Sequence, residues 1–277
     1  MRAVVQDRYG PPDVLRIVEV EKPVPAEREV LIRVRASSVS QTDTHIRAAS
    51  SPLWRVLLGL RRPRWPTRGV DLAGVVEAVG PGVTEFAVGD EVFGMVGWQQ
   101  GAHAEYVCVS EASSIARKPA NVTFEQAASV CDGAGQGLAT LRVGEVRDGT
   151  HVVVYGASGS LGTAAVQIAK QLGAHVTGVT STKNVELVRS LGADDVIDHT
   201  QEDLTQRGPV FDVVIDAVGK YAFHWGKRAL KPGGIYVETD FGPYKLETLI
   251  MWITSRWSRS PRPTAASRPG TRSATSS

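Results

Sequence analysis

The stretch HVVVYGASGSLGTAAVQIAKQLGA, residues 151–174, decides the fold. Its opening, His151-Val152-Val153-Val154-Tyr155, is β-branched and bounded by turn residues, the composition of a strand buried on both faces. Gly156, Gly159 and Gly162 follow, three apart. Ala165, Ile168, Ala169 and Leu172 then recur at i, i+3, i+4 and i+7, the stripe of a helix laying one face on a sheet, and Gly173 stands where a C-terminal cap belongs. Glycine at the crossing lets a pyrophosphate approach the main chain with no Cβ in the way, while the free N–H groups of the first helical turn face the anion. A tight turn that merely needs small residues could use the same three glycines. The flanking strand and helix favour dinucleotide binding, with Ala157, Ser158, Gly159, Ser160, Leu161 and Gly162 as the loop that cradles the phosphates.

Outward from this unit, residues 123 onward alternate helical patterns with strands. Val176–Thr180 reads as a second strand, Val185–Leu191 as a helix, Val196-Ile197 as a third strand and Phe211–Val218 as a fourth. Ala222–Leu230 reads as a helix, and Ile235–Thr239 as a fifth strand after a turn at Pro232-Gly233-Gly234. This is the pattern of a doubly wound parallel sheet. Residues before 123 read as β instead. Val30, Ile32 and Val34 alternate with Leu31, Arg33 and Arg35; Gly69–Val79 is an apolar run closed by Gly80-Pro81-Gly82; Glu91–Gly94 and Glu105–Val109 are further strands. Short strands between glycine turns predict a small barrel. The expected division is therefore residues 1–122, 123–257, and a tail from 258 to 277 with no apolar side chain larger than alanine or the proline ring, too poor in apolar surface to offset its ordering entropy.

Composition narrows the function. The chain has 277 residues, 42% of them hydrophobic, enough for a substantial core, and a formal net charge of +2, which gives no reason to invoke nucleic acid. Cys108 and Cys131 cannot make a disulfide framework and fit a reducing compartment. The start, MRAVVQDRYG, carries neither the basic segment nor the apolar core of a signal peptide, and the apolar patches Leu53–Leu60 and Leu249–Ile253 are too short to span a bilayer. A cytoplasmic protein with a small-molecule substrate and no membrane partner is expected.

These segments together resemble a medium-chain dehydrogenase/reductase of the zinc-free quinone oxidoreductase branch, which includes zeta-crystallin and enoyl reductases. The resemblance rests on Gly69-Val70-Asp71-Leu72-Ala73-Gly74, Gly89-Asp90-Glu91-Val92-Phe93-Gly94, Ala104-Glu105-Tyr106-Val107, the glycine loop, and Phe211–Gly219, and runs to about Trp257. It implies a GroES-like β-barrel catalytic domain, a Rossmann domain, a cleft between them, and a homodimer. It also implies cofactor contacts at Gln136, where relatives often carry threonine, at His199, where they often carry tyrosine, and at Val218 and Gly219. Family chains continue with a further strand, used for dimer pairing, and with segments that return to the catalytic domain. The Ser/Arg/Pro-rich tail stands in their place, which reads as a shifted frame or a truncated gene and puts the dimer and the activity in question.

The alcohol dehydrogenase branch holds a catalytic zinc on two cysteines and a histidine. The corresponding positions here are Ser40, Val70 and Asp132, and the four cysteines of the structural zinc lobe are missing, so no zinc is expected. Polarisation of a substrate oxygen then falls to hydrogen-bond donors. Ser40, Thr42 and His45 are the candidates, with His45 able to supply a proton near neutral pH. The alternative reading of His45 is a partly exposed polar residue at the end of a strand, and Asp43 reads as a brace for the local backbone.

Cofactor choice is argued from the end of the second nucleotide-domain strand, roughly 20 residues beyond the glycines, where an NAD enzyme places a carboxylate. Here the stretch is Thr180-Ser181-Thr182-Lys183, with no carboxylate before Glu186. Thr180, Ser181 and Lys183 suit a 2′-phosphate, which favours NADPH over NADH; a helix N-cap with a solvated lysine is the plainer alternative. Three functions stay open: an NADPH-dependent oxidoreductase that passes hydride to a quinone, enone or other activated carbonyl, a zinc-independent alcohol dehydrogenase, and a remnant that binds NADPH without turnover.

Overall fold

The computed structural model describes residues 1–49, 55–56, 58–219 and 223–239. Strands β1 (Arg2–Gln6) and β2 (Leu15–Glu19) form a two-stranded ribbon. Strands β3 (Glu29–Ala36), β4 (Asp71–Val79), β5 (Glu91–Met95), β6 (Tyr106–Ser110) and β7 (Ser114–Arg117) form an antiparallel sheet in the order β6-β3-β4-β5-β7, a curled half-barrel. Its core is Val30, Ile32, Leu72, Val76, Val92, Val107 and Val109, supplied mainly by the inward-facing positions of the alternating strands. Between β3 and β4 lies helix α1 (Gln41–Ala48). Leu58 packs with Ile46 and Val70, whereas Val56 and Leu60 are exposed; Leu53, Trp54 and Leu57 lie outside the described residues.

The long helix α2 (Phe124–Val143) joins the two halves. Thr123 and Gln126 cap its start reciprocally, the Thr123 hydroxyl accepting from the Gln126 amide at 3.2 Å and the Gln126 side chain accepting from the Thr123 amide at 2.9 Å. Near its N-terminus Ala127 and Ala128 pack on Ala73 and Phe93 of the half-barrel. Farther along, Gly133 and Gly137 face helix α3 (Ser160–Gln171) at close quarters: a Cβ on Gly133 would lie 2.4 Å from Ser160 Oγ, and one on Gly137 would lie 3.1 Å from the Ala165 nitrogen.

The second sheet is parallel. Strands β8 (His151–Tyr155), β9 (His175–Thr180), β10 (Asp195–Asp198), β11 (Phe211–Asp216) and β12 (Leu230–Glu238) run in the order β10-β9-β8-β11-β12, with helices α4 (Val185–Ser190) and α5 (Phe223–Gly226) among the connections. The order reverses between β8 and β11, which opens a crevice at the carboxyl ends of those strands. Val152, Val153 and Val154 are fully buried, as the apolar run predicts.

Three details differ from the sequence reading. Leu172, the last member of the helical stripe, is 40% exposed because α3 ends at Gln171, while Gly173 does adopt the left-handed cap at φ +79°. Pro232-Gly233-Gly234 falls inside β12 rather than ahead of it: the register jumps from Phe211↔Leu230 to Val213↔Ile235, so that pairing with β11 breaks at this segment, with Gly233 at φ +81°, and runs on from Ile235. Helix α5 correspondingly ends at Gly226, short of the expected Leu230, and Ala222 lies outside the described residues.

One contact fixes the strand–turn–helix unit. A Cβ on Gly162 would lie 2.1 Å from the Gly156 carbonyl oxygen and 2.7 Å from Ala157 Cα. Gly162→Ala is therefore expected to destabilise the protein by about 1–3 kcal/mol, read as a lower denaturation midpoint in urea. Gly149→Ala, where nothing lies near the added methyl and only the φ of +73° is strained, is expected to cost less.

Candidate active site

The carboxyl ends of the parallel strands open into a cleft of about 960 Å3 that is shared with the half-barrel. Tyr155 and Gly156 end β8, Thr180 and Ser181 end β9, His199 ends β10, and Ala217 and Val218 end β11; opposite them stand Ser38, Ser40, Thr42 and His45 with Asp71, Asp132 and Gln136. Of the residues singled out from sequence, Ser158, Gly159, Ser160, Leu161 and Gly162 also line this cleft, whereas the fully buried Ala157, the buried Gly219 and the exposed Lys183 stand outside its lining.

The glycine loop is built for an anion. The Gly156 and Ala157 amides both donate to the Val179 carbonyl at 3.0 Å, which pins the loop to β9, and the Gly159 amide donates to the Gly156 carbonyl at 3.0 Å. The first intrahelical bond runs from Thr163 to Gly159, so the Ser160, Leu161 and Gly162 amides make no hydrogen bond to the described residues. They are the orphan donors at the positive end of a 12-residue helix. Gly156 sits at φ +80°, and a Cβ there would strike Val218 at 2.2 Å, so the two strand ends approach closely only because Gly156 is bare.

Val218 and Gly219 place their amides elsewhere than on the cleft: both donate to Asp216 Oδ1 at 2.9 Å, a turn that closes the end of β11. The Ser158 hydroxyl accepts from Thr180 Oγ1 at 2.9 Å and from Asn184 Nδ2 at 3.0 Å. The His199 ring lies 6.0 Å from that of Tyr155, tilted by 32°. Thr182 donates to Asp198 Oδ2 at 2.6 Å, and Asp198 also accepts from Thr200 and Gln201, bonds that hold its carboxyl down at about 2. This carboxylate comes from β10, opposite Thr180 in register, so it stands outside the Thr180–Lys183 stretch that ends β9. Glu186 turns to Arg189, with 2.6 Å between charged atoms.

On the half-barrel side, Ser40 is the N-cap of α1. The Asp43 carboxylate accepts from the Ser40 amide at 2.9 Å and its hydroxyl at 3.2 Å, so Asp43 braces the turn. His45 lies within α1 rather than at a strand end, with Nε2 3.1 Å from Gln41 Nε2. If the Gln41 amide donates, the neutral imidazole carries its hydrogen on Nδ1. Thr42 gives its hydrogen to Asp132 Oδ2 at 2.9 Å, and Gln136 donates to Asp132 Oδ1. Asp132, a residue singled out from sequence only as a former cysteine position, thus ties α1 to α2 beside the glycine loop. Asp71, hidden in an apolar run, accepts from Ser38 Oγ at 2.7 Å and is 1% exposed; burial is the main cause that pushes it up to about 6. A lone carboxylate in a core strand was the sequence signal for it.

A tetrahedral zinc does not fit Ser40, Val70 and Asp132: valine has no donor atom, and both oxygens of Asp132 already accept hydrogen bonds. A nicotinamide dinucleotide does fit, on the orphan amides of the α3 terminus. No helix among the described residues is long and apolar enough to cross a membrane.

Comparison with known proteins agrees with this architecture. Residues 26–120 match the alcohol dehydrogenase GroES-like domain, and residues 160–254 match the family described as zinc-binding dehydrogenase. The mitochondrial NAD(P)H oxidoreductase RTN4IP1 of Mus musculus is 37% identical over 259 residues, spanning 86% of this chain; the chain spans 65% of that relative's length. The chloroplastic NADPH-dependent alkenal/one oxidoreductase of Arabidopsis thaliana is 36% identical over 237 residues, 79% of this chain and 58% of that protein. The crystal structure of the quinone oxidoreductase from Pseudomonas syringae pv. Tomato DC3000 superposes with a TM-score of 0.76 at 30% identity, covering 87% of this chain and 74% of that one. The two matched domains, the strand order and the shared cleft place the chain in the medium-chain dehydrogenase/reductase family of oxidoreductases.

Proposed function

We propose that the protein is an NADPH-dependent, zinc-independent reductase of quinones, enones or other activated carbonyls. The observation that carries this reading is the convergence, in one cleft, of three unpartnered helix-terminal amides with the hydroxyl and imidazole donors of α1. When bound, the cofactor supplies a hydride; the remaining tasks fall to side chains.

The Ser160, Leu161 and Gly162 amides hold the pyrophosphate. Gln136, whose amide hydrogen is committed to Asp132, keeps its carbonyl oxygen as an acceptor for a carboxamide N–H. Thr42 likewise spends its hydrogen on Asp132 and positions that carboxylate rather than the substrate. Ser40 and His45 are then the groups that face a substrate oxygen. The Ser40 hydroxyl can rotate away from its long bond to Asp43, because the Ser40 amide keeps the brace in place. His45, half-buried in the cleft wall, supplies the proton.

Preference for NADPH is supported by the adenosine end. Thr180, Ser181 and Lys183 bring no carboxylate, Glu186 is engaged by Arg189, and the oxygens of Asp198 are filled by Thr182, Thr200 and Gln201. Lys183 forms no ion pair among the described residues and can turn to a 2′-phosphate.

Titration of the purified chain, followed by fluorescence of the reduced cofactor, is expected to give saturable NADPH binding that is tighter than NADH binding. Equal affinities would remove the preference, and absence of both would remove the function. Lys183→Glu is expected to weaken NADPH about threefold or more while leaving NADH nearly unchanged. His45→Phe is expected to lower kcat for quinone and enone reduction by about a hundredfold with NADPH affinity intact; unchanged turnover would exclude His45 from the chemistry.

A further inference from the structure

The floor of the cleft holds a carboxylate that the reading above leaves without a task. Asp71 opens β4, lines the cleft and is almost wholly buried. Its Oδ2 accepts from Ser38 and the Asp132 main-chain N–H lies toward the carboxyl and lowers its proton affinity, but no donor comes within hydrogen-bond geometry of the buried Oδ1, and Asp71 forms no ion pair among the described residues. Asp132 and the Cys131 thiol face it from α2 and Asp43 from α1, all of them acidic; the thiol itself is pushed up to about 12, chiefly by burial. The preceding segment contributes the neutral Ser38, whose carbonyl is 2.8 Å from His103 Nε2, and β5 contributes Met95 in register.

A buried carboxylate with an unsatisfied oxygen beside other acids is costly. What the arrangement lacks is positive charge. On the cofactor reading above, on which this inference rests, the adenosine end lies at Thr180–Lys183 and His199 and the pyrophosphate at the α3 terminus. The nicotinamide half then extends toward the end of β11 and toward Asp132, Gln136 and Asp71. The reduced ring is neutral and the oxidised ring carries a positive charge.

We infer that Asp71 is the counter-charge of the oxidised nicotinamide: in mildly acidic solution it keeps a proton while the reduced cofactor is bound and yields it when the oxidised cofactor is bound, and as a carboxylate it favours the charge that grows on the ring as hydride departs. Asp71 acts through its field, as a positioning residue, and does not donate to the substrate. No bond in cofactor or substrate changes in this coupling; each oxidised cofactor bound displaces up to one proton from the Asp71 carboxyl to solvent.

The sign follows from the raised proton affinity. Below about 6 the free protein holds Asp71 protonated, and NADP+ must displace that proton; above it the carboxylate is already formed. NADP+ affinity should therefore rise with pH and level off near neutrality, while NADPH lacks this term. The 2′-phosphate, which titrates in the same range, is common to both dinucleotides and cancels in their ratio.

The test is the ratio of the NADP+ and NADPH dissociation constants for the full chain and for Asp71→Asn, at pH 5.5 and 7.5. The native ratio is expected to be about fourfold larger at pH 5.5, and the Asp71→Asn ratio is expected to be flat. Calorimetric titration with NADP+ in two buffers of different ionisation enthalpy should show proton release at pH 5.5, in excess of that seen with NADPH, that the variant loses. Asp71→Asn should keep its NADPH affinity and be at least as stable as the native chain at pH 7.5, since the amide removes a charge that is costly to bury. A flat native ratio overturns the inference, and so does an unchanged slope in the variant; should the variant fail to fold, the native ratio decides alone. Failure of both dinucleotides to bind is a different result: it overturns the cofactor reading and this inference with it.

Discussion

The cleft depends on backbone-to-backbone approach at places where no side chain is allowed. Gly162 brings the first turn of α3 against the Gly156 carbonyl, and Gly133 brings α2 against Ser160, each at a separation that a methyl group would violate. These contacts orient the α3 terminus so that its orphan amides open into the cleft, and they set Asp132 and Gln136 beside that terminus. The fully buried valines of β8 supply the cohesive energy of the parallel sheet, but they do not aim anything. Aim comes from the glycines.

Charge placement follows from the same geometry. Asp132 is reached by Thr42 from α1 and by Gln136 one turn along α2, and its two oxygens are satisfied. Asp71 sits deeper, with one oxygen satisfied and one not. Two carboxylates a short way apart in the same wall therefore have different tasks, one structural and one electrostatic. The difference arises from hydrogen-bond supply, because both are nearly inaccessible to water.

Much of the fold was legible because its signals are local. The run 151–174 carries a strand, a turn and a helix whose periods differ, and the alternation at Val30, Ile32 and Val34 has no helical reading. The break at Pro232-Gly233-Gly234 is marked by its proline and glycines, but that the strand begins before it, at Leu230, shows only in the pairing with β11. The site was less legible. Ser40, Thr42 and His45 could be named as polar residues in one stretch, but the commitment of the Thr42 hydrogen to a residue ninety positions away is a tertiary fact. Asp198 reaches the adenosine end from a neighbouring strand, and Asp71 lies within an apolar run. Neither position follows from spacing along the chain.

Helix α2 belongs to both halves of the molecule at once, with Ala127 and Ala128 keyed to the half-barrel and Gly133 and Gly137 keyed to α3. Its pitch is therefore a ruler between them. One residue inserted between Ala128 and Gly133 would rotate everything beyond it by about 100°, swinging the bare glycine face away from α3 and the Asp132 carboxylate away from Thr42. A substitution on the outer face of α2 leaves this relation in place, but a change in its length does not, so the interval from Ala128 to Gly133 is a phase that the chain has to keep.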